Sequence, residues 1–173
     1  MKLKTKQQIA DSLRNFRLPR YHEIPDVGLY LEQTAKYISE YLAPIDKSCL
    51  TPSMVSNYVK KGLISNPVRK QYNREQIAYL IFIAIAKNVM SLDGLINFIS
   101  LQKRTYSLQI AYDYFCEQFE STLFFTAEVK DAMDIVGEDT ADEKKLLFSC
   151  IVAVTQKIYL ERCLEAIAAE ESE

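Results

Sequence analysis

A chain of 173 residues that is 25% charged and 49% hydrophobic has the length and composition of a globular protein that buries a core without metal or disulfide staples. Its net charge of −2 is a cancellation, because residues 1–87 carry 14 Lys/Arg against 7 Asp/Glu while residues 88–173 carry 7 against 16; such asymmetry hints at nucleic-acid contact in the basic half. The four glycines, Gly28, Gly62, Gly94 and Gly137, stand too far apart to build a phosphate-cradling loop, which excludes the Gly-rich nucleotide-binding motifs and argues for long helices over a turn-rich all-β fold.

The chain opens MKLKTKQQ with no apolar stretch behind it, so no secretory signal is expected. Ile9, Leu13 and Phe16 share one face of a short amphipathic helix that stops at Leu18-Pro19. Residues 17–27 (RLPRYHEIPDV) hold two prolines and predict an extended segment lying on the domain. From Gly28 the pattern turns helical, with Leu31, Ala35, Ile38 and Leu42 on one face until Pro44 ends it, and a loop spans Ile45 to Leu50. Thr51-Pro52 starts the next helix, since the hydroxyl caps a free N–H and proline at the first position needs no donor. That helix ends at Gly62, the residue suited to a left-handed cap, and packs through Val55, Tyr58 and Val59. After a compact turn-rich link (SNPVRKQ, 65–71), a strongly apolar helix from Glu75 to Asn88 places Ile77, Leu80, Ile81, Ala84 and Ile85 in the core. Ser91 or its neighbour caps a further helix that buries Leu95, Ile96 and Ile99. An aromatic helix from Tyr106 to Thr126, a turn at Gly137-Glu138-Asp139-Thr140 and a long helix from Asp142 to about Ala169 complete the chain; a short link between long helices predicts an antiparallel hairpin. The long helix carries Leu147, Ile151, Val154 and Ile158 on one stripe, with Leu160, Leu164 and Ile167 beyond. The apolar runs at 77–86 and 146–155 are shorter than the ~18 residues that span a membrane.

Residues 47–74 contain Lys47, Lys60, Lys61, Arg69, Lys70 and Arg74 and no acid. Within them Ser53, Ser56, Asn57 and Lys60 fall at offsets 0, 3, 4 and 7 and share one helix face, while Val55, Tyr58 and Val59 take the other. A helix fits the major groove, short amides and hydroxyls reach base edges, and Lys and Arg neutralise phosphates. A solvated polar face is the plain alternative for the helix alone; the basic turn at Arg69 and Lys70, placed where a wing would touch the backbone, favours the groove reader.

The run TPSMVSNYVKKGLI (51–64), then Pro67-Val-Arg69, Tyr72, Gln76-Ile77, Leu80 and Phe82-Ile83, with the helix start Ser91-Leu92, resembles the MerR-type winged helix-turn-helix. The resemblance covers roughly residues 28–100. The opening RLPRYHEIPDVGLYLEQ is similar to a narrower bacterial family, domain of unknown function 1836, for which a MerR-like head and no further activity are implied. By resemblance Ser53, Ser56 and Asn57 take positions of groove and phosphate contact, and Arg69 that of the wing arginine. The wing is shorter than the family's, without its Asn-Gly-Tyr-Arg hairpin, and Ser53 and Ser56 stand where the family often has arginines.

Cys49, Cys116, Cys150 and Cys163 form no C-x-x-C pair, so reduced thiols in a cytosolic protein are expected, without a zinc module or sensor pair. His22, the only histidine, has no second ligand nearby in sequence, and no metal, cofactor or enzymatic activity is implied. The aromatics of the helix from Tyr106 are read as core and dimer packing, with a pocket for an unknown hydrophobic effector as the alternative.

The expected fold is therefore all-α with at most a minimal β wing: a MerR-like head over 1–103 and a helical dimerisation or effector tail over 104–173. The expected function is that of a cytoplasmic, DNA-binding transcription regulator. Its recognition helix, 52–61, enters the major groove and its basic wing, 65–72, meets the backbone. The DNA-contacting residues are Ser53, Ser56, Asn57, Lys60, Lys61, Arg69, Lys70 and Arg74. The partners are double-stranded DNA and a second copy through the C-terminal helices, and no membrane. The alternative is a helical protein–protein interaction module that does not bind DNA.

Overall fold

The structure, a computed structural model, describes residues 3–46, 50–134 and 141–171. Its elements run α1 (Leu3–Leu13), β1 (Leu29–Tyr30), α2 (Leu31–Leu42), α3 (Pro52–Lys60), β2 (Gln71–Tyr72), α4 (Arg74–Ala86), α5 (Leu92–Thr105), α6 (Leu108–Thr126) and α7 (Asp142–Glu171). The fold is all-α with one minimal sheet, in which β1 and β2 pair antiparallel. The loop at 45–50, with Lys47 and Cys49, and the turn at 137–140 lie partly or wholly outside the described residues. By contacts the chain divides into Leu18–Cys116 and a second region of Met1–Arg17 with Glu117–Glu173. The division expected from the sequence falls instead after Lys103, with α1 counted in the head.

In the region Leu18–Cys116, α4 is the central rod. Ile77, Leu80, Ile81, Ala84 and Ile85 are buried as their spacing predicts, and so are Ala78, Phe82, Ile83 and Ala86 on the remaining faces. A helix apolar all round must be surrounded, and Phe82 shows how: its ring stacks on Phe98 at 5.4 Å and meets Phe115 edge-on at 5.3 Å. The helix begins one residue earlier than its apolar pattern predicts, because Asn73 and Gln76 cap each other, Asn73 N–H donating to Gln76 Oε1 and Gln76 N–H to Asn73 Oδ1, both at 2.9 Å. Ser91 caps α5 as expected, its Oγ accepting from Gly94 N–H at 3.1 Å. Leu95 and Ile99 are buried, but Ile96 is 36% exposed; it sits one residue round from the buried line.

The segment before β1 is extended with one 3-10 turn, Tyr21–Glu23. Leu18, Pro19 and Ile24 are buried, and Tyr21 N–H donates to Asp113 Oδ1 at 2.7 Å. Residues 28–30 depart from their helical pattern. Leu29 and Tyr30 form β1, opposite Tyr72 and Gln71 respectively, and α2 starts only at Leu31. Pairing partners alternate across a sheet, so buried Tyr72 with Leu29 forms the inner face, and exposed Tyr30 with half-buried Gln71 the outer one.

In the second region α1 packs on α7. Ile9, Leu13 and Phe16 are buried, as are Leu147, Ile151, Val154 and Ile158, all as predicted from spacing. Phe16 meets Phe119 edge-on at 5.9 Å. Ser121 Oγ accepts from Asp134 N–H at 2.8 Å and so ties the chain after α6 back onto it. Burial pushes the Cys150 thiol up to about 11, which leaves it protonated and inert near neutrality. Among the described residues, no helix is long and apolar enough to cross a membrane.

The close pairing of β1 with β2 sets a test. A Cβ on Gly28 would stand 2.7 Å from Gln71 Cβ, an atom fixed to the β2 backbone, so the strands must part to admit it. Gly28→Ala is expected to destabilise the fold by about 1–3 kcal/mol, as overpacking does, and a lowered urea midpoint relative to wild type checks it.

Candidate nucleic-acid interface

Helix α3 is short and owes its stability to its ends and its inner face. Thr51 Oγ1 accepts from Met54 N–H at 3.2 Å, and Pro52 occupies the first position. At the other end Gly62 has φ +77°, Gly62 N–H donates to Val59 O at 2.9 Å and Leu63 N–H to Tyr58 O at 3.0 Å, the paired bonds of a Schellman cap. Val55 and Tyr58 are buried and Val59 is half-buried, against α2; burial also raises the Tyr58 hydroxyl pKa. Leu63 and Ile64 are buried beyond the cap, so the outgoing chain is anchored at once. With that face committed, Ser53, Ser56, Asn57, Lys60 and Lys61 are all exposed.

The link that follows is a hairpin of the smallest size. Val68 N–H donates to Gln71 O at 3.1 Å and Gln71 N–H to Val68 O at 2.9 Å. Arg69 and Lys70 form the two-residue tip with φ of 51° and 64°, the positive pair that a type I′ turn requires. Both side chains are exposed. The base of this wing is held by Gln76, a buried residue whose Nε2 donates to Ser65 O at 2.8 Å and Ser65 Oγ at 3.2 Å.

Of the predicted contact residues, Ser53, Ser56, Asn57, Lys60 and Lys61 lie on or just after α3, and Arg69 and Lys70 at the wing tip. None of their side chains takes a hydrogen bond or ion pair among the described residues. Arg74 is different. Its Nε donates to Ile24 O at 2.9 Å, its guanidinium stands 3.7 Å from Asp26 and lies 5.8 Å from the centre of the Tyr21 ring. It ties the extended segment to the start of α4, and partners some fifty residues earlier left no mark in its local sequence. Two exposed groups escaped the sequence reading: Tyr30, 52% exposed, and Val68, 71% exposed. Each pairs with Gln71, so both stand on the outer face of the wing sheet. The strand signal that would have found them is two residues long.

The wing tip is strained, since an L-residue in left-handed backbone costs about 1 kcal/mol or more. Lys70→Gly removes that cost at one position and is expected to raise stability by roughly 0.5–1 kcal/mol. A higher urea midpoint with unchanged helicity checks it.

No curated protein and no solved structure matches the chain. Residues 19–115 match the family described as "Domain of unknown function (DUF1836)". That span takes in α3, the wing and α4, together with nearly all of the region Leu18–Cys116 that holds them; the chain belongs to this family.

Proposed function

We propose that this chain is a cytosolic transcription regulator with a MerR-like winged helix-turn-helix head, in which α3 enters the major groove and the wing tip meets the backbone. The observation that carries the reading is the wing: two cations occupy strained positive-φ positions that glycine or asparagine would fill without cost, and strain of this kind gathers where side chains are used. The acid-free run from 47 to 74 and the exposed polar face of α3 support it from the same surface.

Dimerisation through the C-terminal helix belongs to the same proposal. Leu146, Leu160 and Leu164 are 51%, 57% and 57% exposed, on the side of α7 away from Leu147, Ile151, Val154 and Ile158. A second copy would cover them and set two heads at a fixed separation, as paired half-sites demand. Leu160→Glu with Leu164→Glu is expected to shift the protein from dimer to monomer in sedimentation analysis while its helical circular dichroism is kept; a monomeric wild type overturns this part.

The DNA test is affinity for duplex DNA as a function of salt. Lys60, Lys61, Arg69 and Lys70 are the cations offered by each head, and four phosphates neutralised per head give a slope of log affinity against log salt of roughly −3 to −4 per head, about −7 for the dimer. Arg69→Glu with Lys70→Glu is expected to weaken binding at low salt more than tenfold and to reduce the slope by about 2 per head. Absence of binding at low salt, or binding indifferent to the double substitution, overturns the proposal. Absence of binding would leave an interaction module without DNA binding, the reading that the withdrawn Arg74 and the uncharged Ser53 and Ser56 favour.

A further inference from the structure

We infer that Asn57 is the specificity-determining residue of α3 and that the base it reads is adenine, an inference that rests on the DNA-binding reading above. The exposed face of α3 holds Ser53, Ser56, Asn57 and Lys60. A serine hydroxyl both donates and accepts, so it satisfies any base edge and selects none. Lys60 carries donors only, on the last turn of the helix, where a flexible point charge suits a phosphate. Asn57 alone on this face sets a donor and an acceptor side by side. Its Nδ2 can donate to adenine N7 while its Oδ1 accepts from the N6 amino group, the pairing that its geometry fits in the major groove.

The rest of the helix makes that contact reachable. An asparagine side chain is short, so it meets a base only if the helix lies deep in the groove. Ser53 and Ser56, one turn before and directly beside it on the same face, add little bulk and keep the surface low. The same choice removes arginine's bidentate readout of guanine, since no arginine lies between Pro52 and Lys61, and Lys60, on the last turn, is assigned to the phosphates. The amide is also uncommitted: Asn57 contributes its main-chain carbonyl to the helix, accepting from Lys61 N–H at 2.9 Å, and its side chain takes no hydrogen bond among the described residues. Cations for the backbone stand elsewhere, at Lys60 and Lys61 and at the wing tip, so affinity and base reading are assigned to different residues.

The experiment is selection of bound duplexes from random DNA with the full chain, followed by fluorescence anisotropy on the selected site. The expected motif holds an invariant adenine in each half-site. Replacing it by 7-deazaadenine, which lacks the N7 acceptor, or by another base is expected to weaken wild-type binding about tenfold. Asn57→Ala is expected to bind the normal and altered duplexes equally, while retaining the salt dependence of wild type. The modified base tests the contact independently of whether the variant folds. A selected motif whose invariant positions are guanine or cytosine, wild-type affinity unmoved by 7-deazaadenine, or discrimination retained by Asn57→Ala overturns the inference and leaves the DNA-binding reading standing. Absence of any duplex retained at low salt overturns both.

Discussion

The geometry of the candidate interface depends on one buried amide. Gln76 uses its carbonyl oxygen to cap Asn73 N–H and its amino group to hold Ser65 O, so a single side chain sets both where α4 begins and where the wing leaves the core. A buried amide without partners costs about 1–3 kcal/mol. Once Gln76 is inside, at 4% exposure, the bonds it makes are therefore effectively compulsory, and the path of the chain between Ser65 and Asn73 is confined to a hairpin that fits between them. The apolar rod behind it supplies the force that keeps it inside: Ile77, Leu80, Ile81 and Ile83 are fully buried on α4, and Gln76 cannot reach water without withdrawing them.

That anchor confines the wing. The seven residues between Ser65 and Asn73 must turn back on themselves and end in register with β1, whose Leu29 and Tyr30 face Tyr72 and Gln71. The Val68–Gln71 pair closes the hairpin with a two-residue tip, and the twist of the strands favours the turn with positive φ at both central positions. The inner side is fixed by Tyr72, buried enough that its hydroxyl pKa rises through desolvation, and by Gly28, which leaves room for Gln71. The tip residues make no contribution to this closure. They resist it, and an arginine and a lysine at such positions are intelligible through what their side chains do outside the fold.

What was legible in the sequence was local. The caps at Thr51 and Ser91, the left-handed end at Gly62 and the apolar spacing of α1, α3 and α7 each depend on residues three or four apart, and each lies where its pattern places it. What was missed is non-local. β1 pairs with a strand some forty residues later, and its two residues read equally well as the first turn of α2. Arg74 looks like any exposed cation until Ile24, Asp26 and Tyr21 arrive from the extended segment. The hairpin carries no Asn-Gly or Asp-Gly signature, so its turn shows only in the backbone. The exposed face of α3 was legible because it is a periodic property, whereas the wing had to be built by its anchor.

The proposed division of labour between helix and wing has an electrostatic rationale of its own. The first turns of a helix carry the positive end of its dipole and its unpaired N–H groups, and no acid stands in the first turn of α3 to offset them. Such an end approaches the negative surface of DNA without added cations, which frees Ser53, Ser56 and Asn57 to be small and neutral. The last turn carries the opposite partial charge, and there Lys60 and Lys61 both satisfy the dipole and restore the positive sign. On that proposal Ser53 and Ser56 need supply no phosphate clamp: the cations at the helix end and the wing tip would do so, and the helix face between them would be left for contacts short enough to depend on which base they meet.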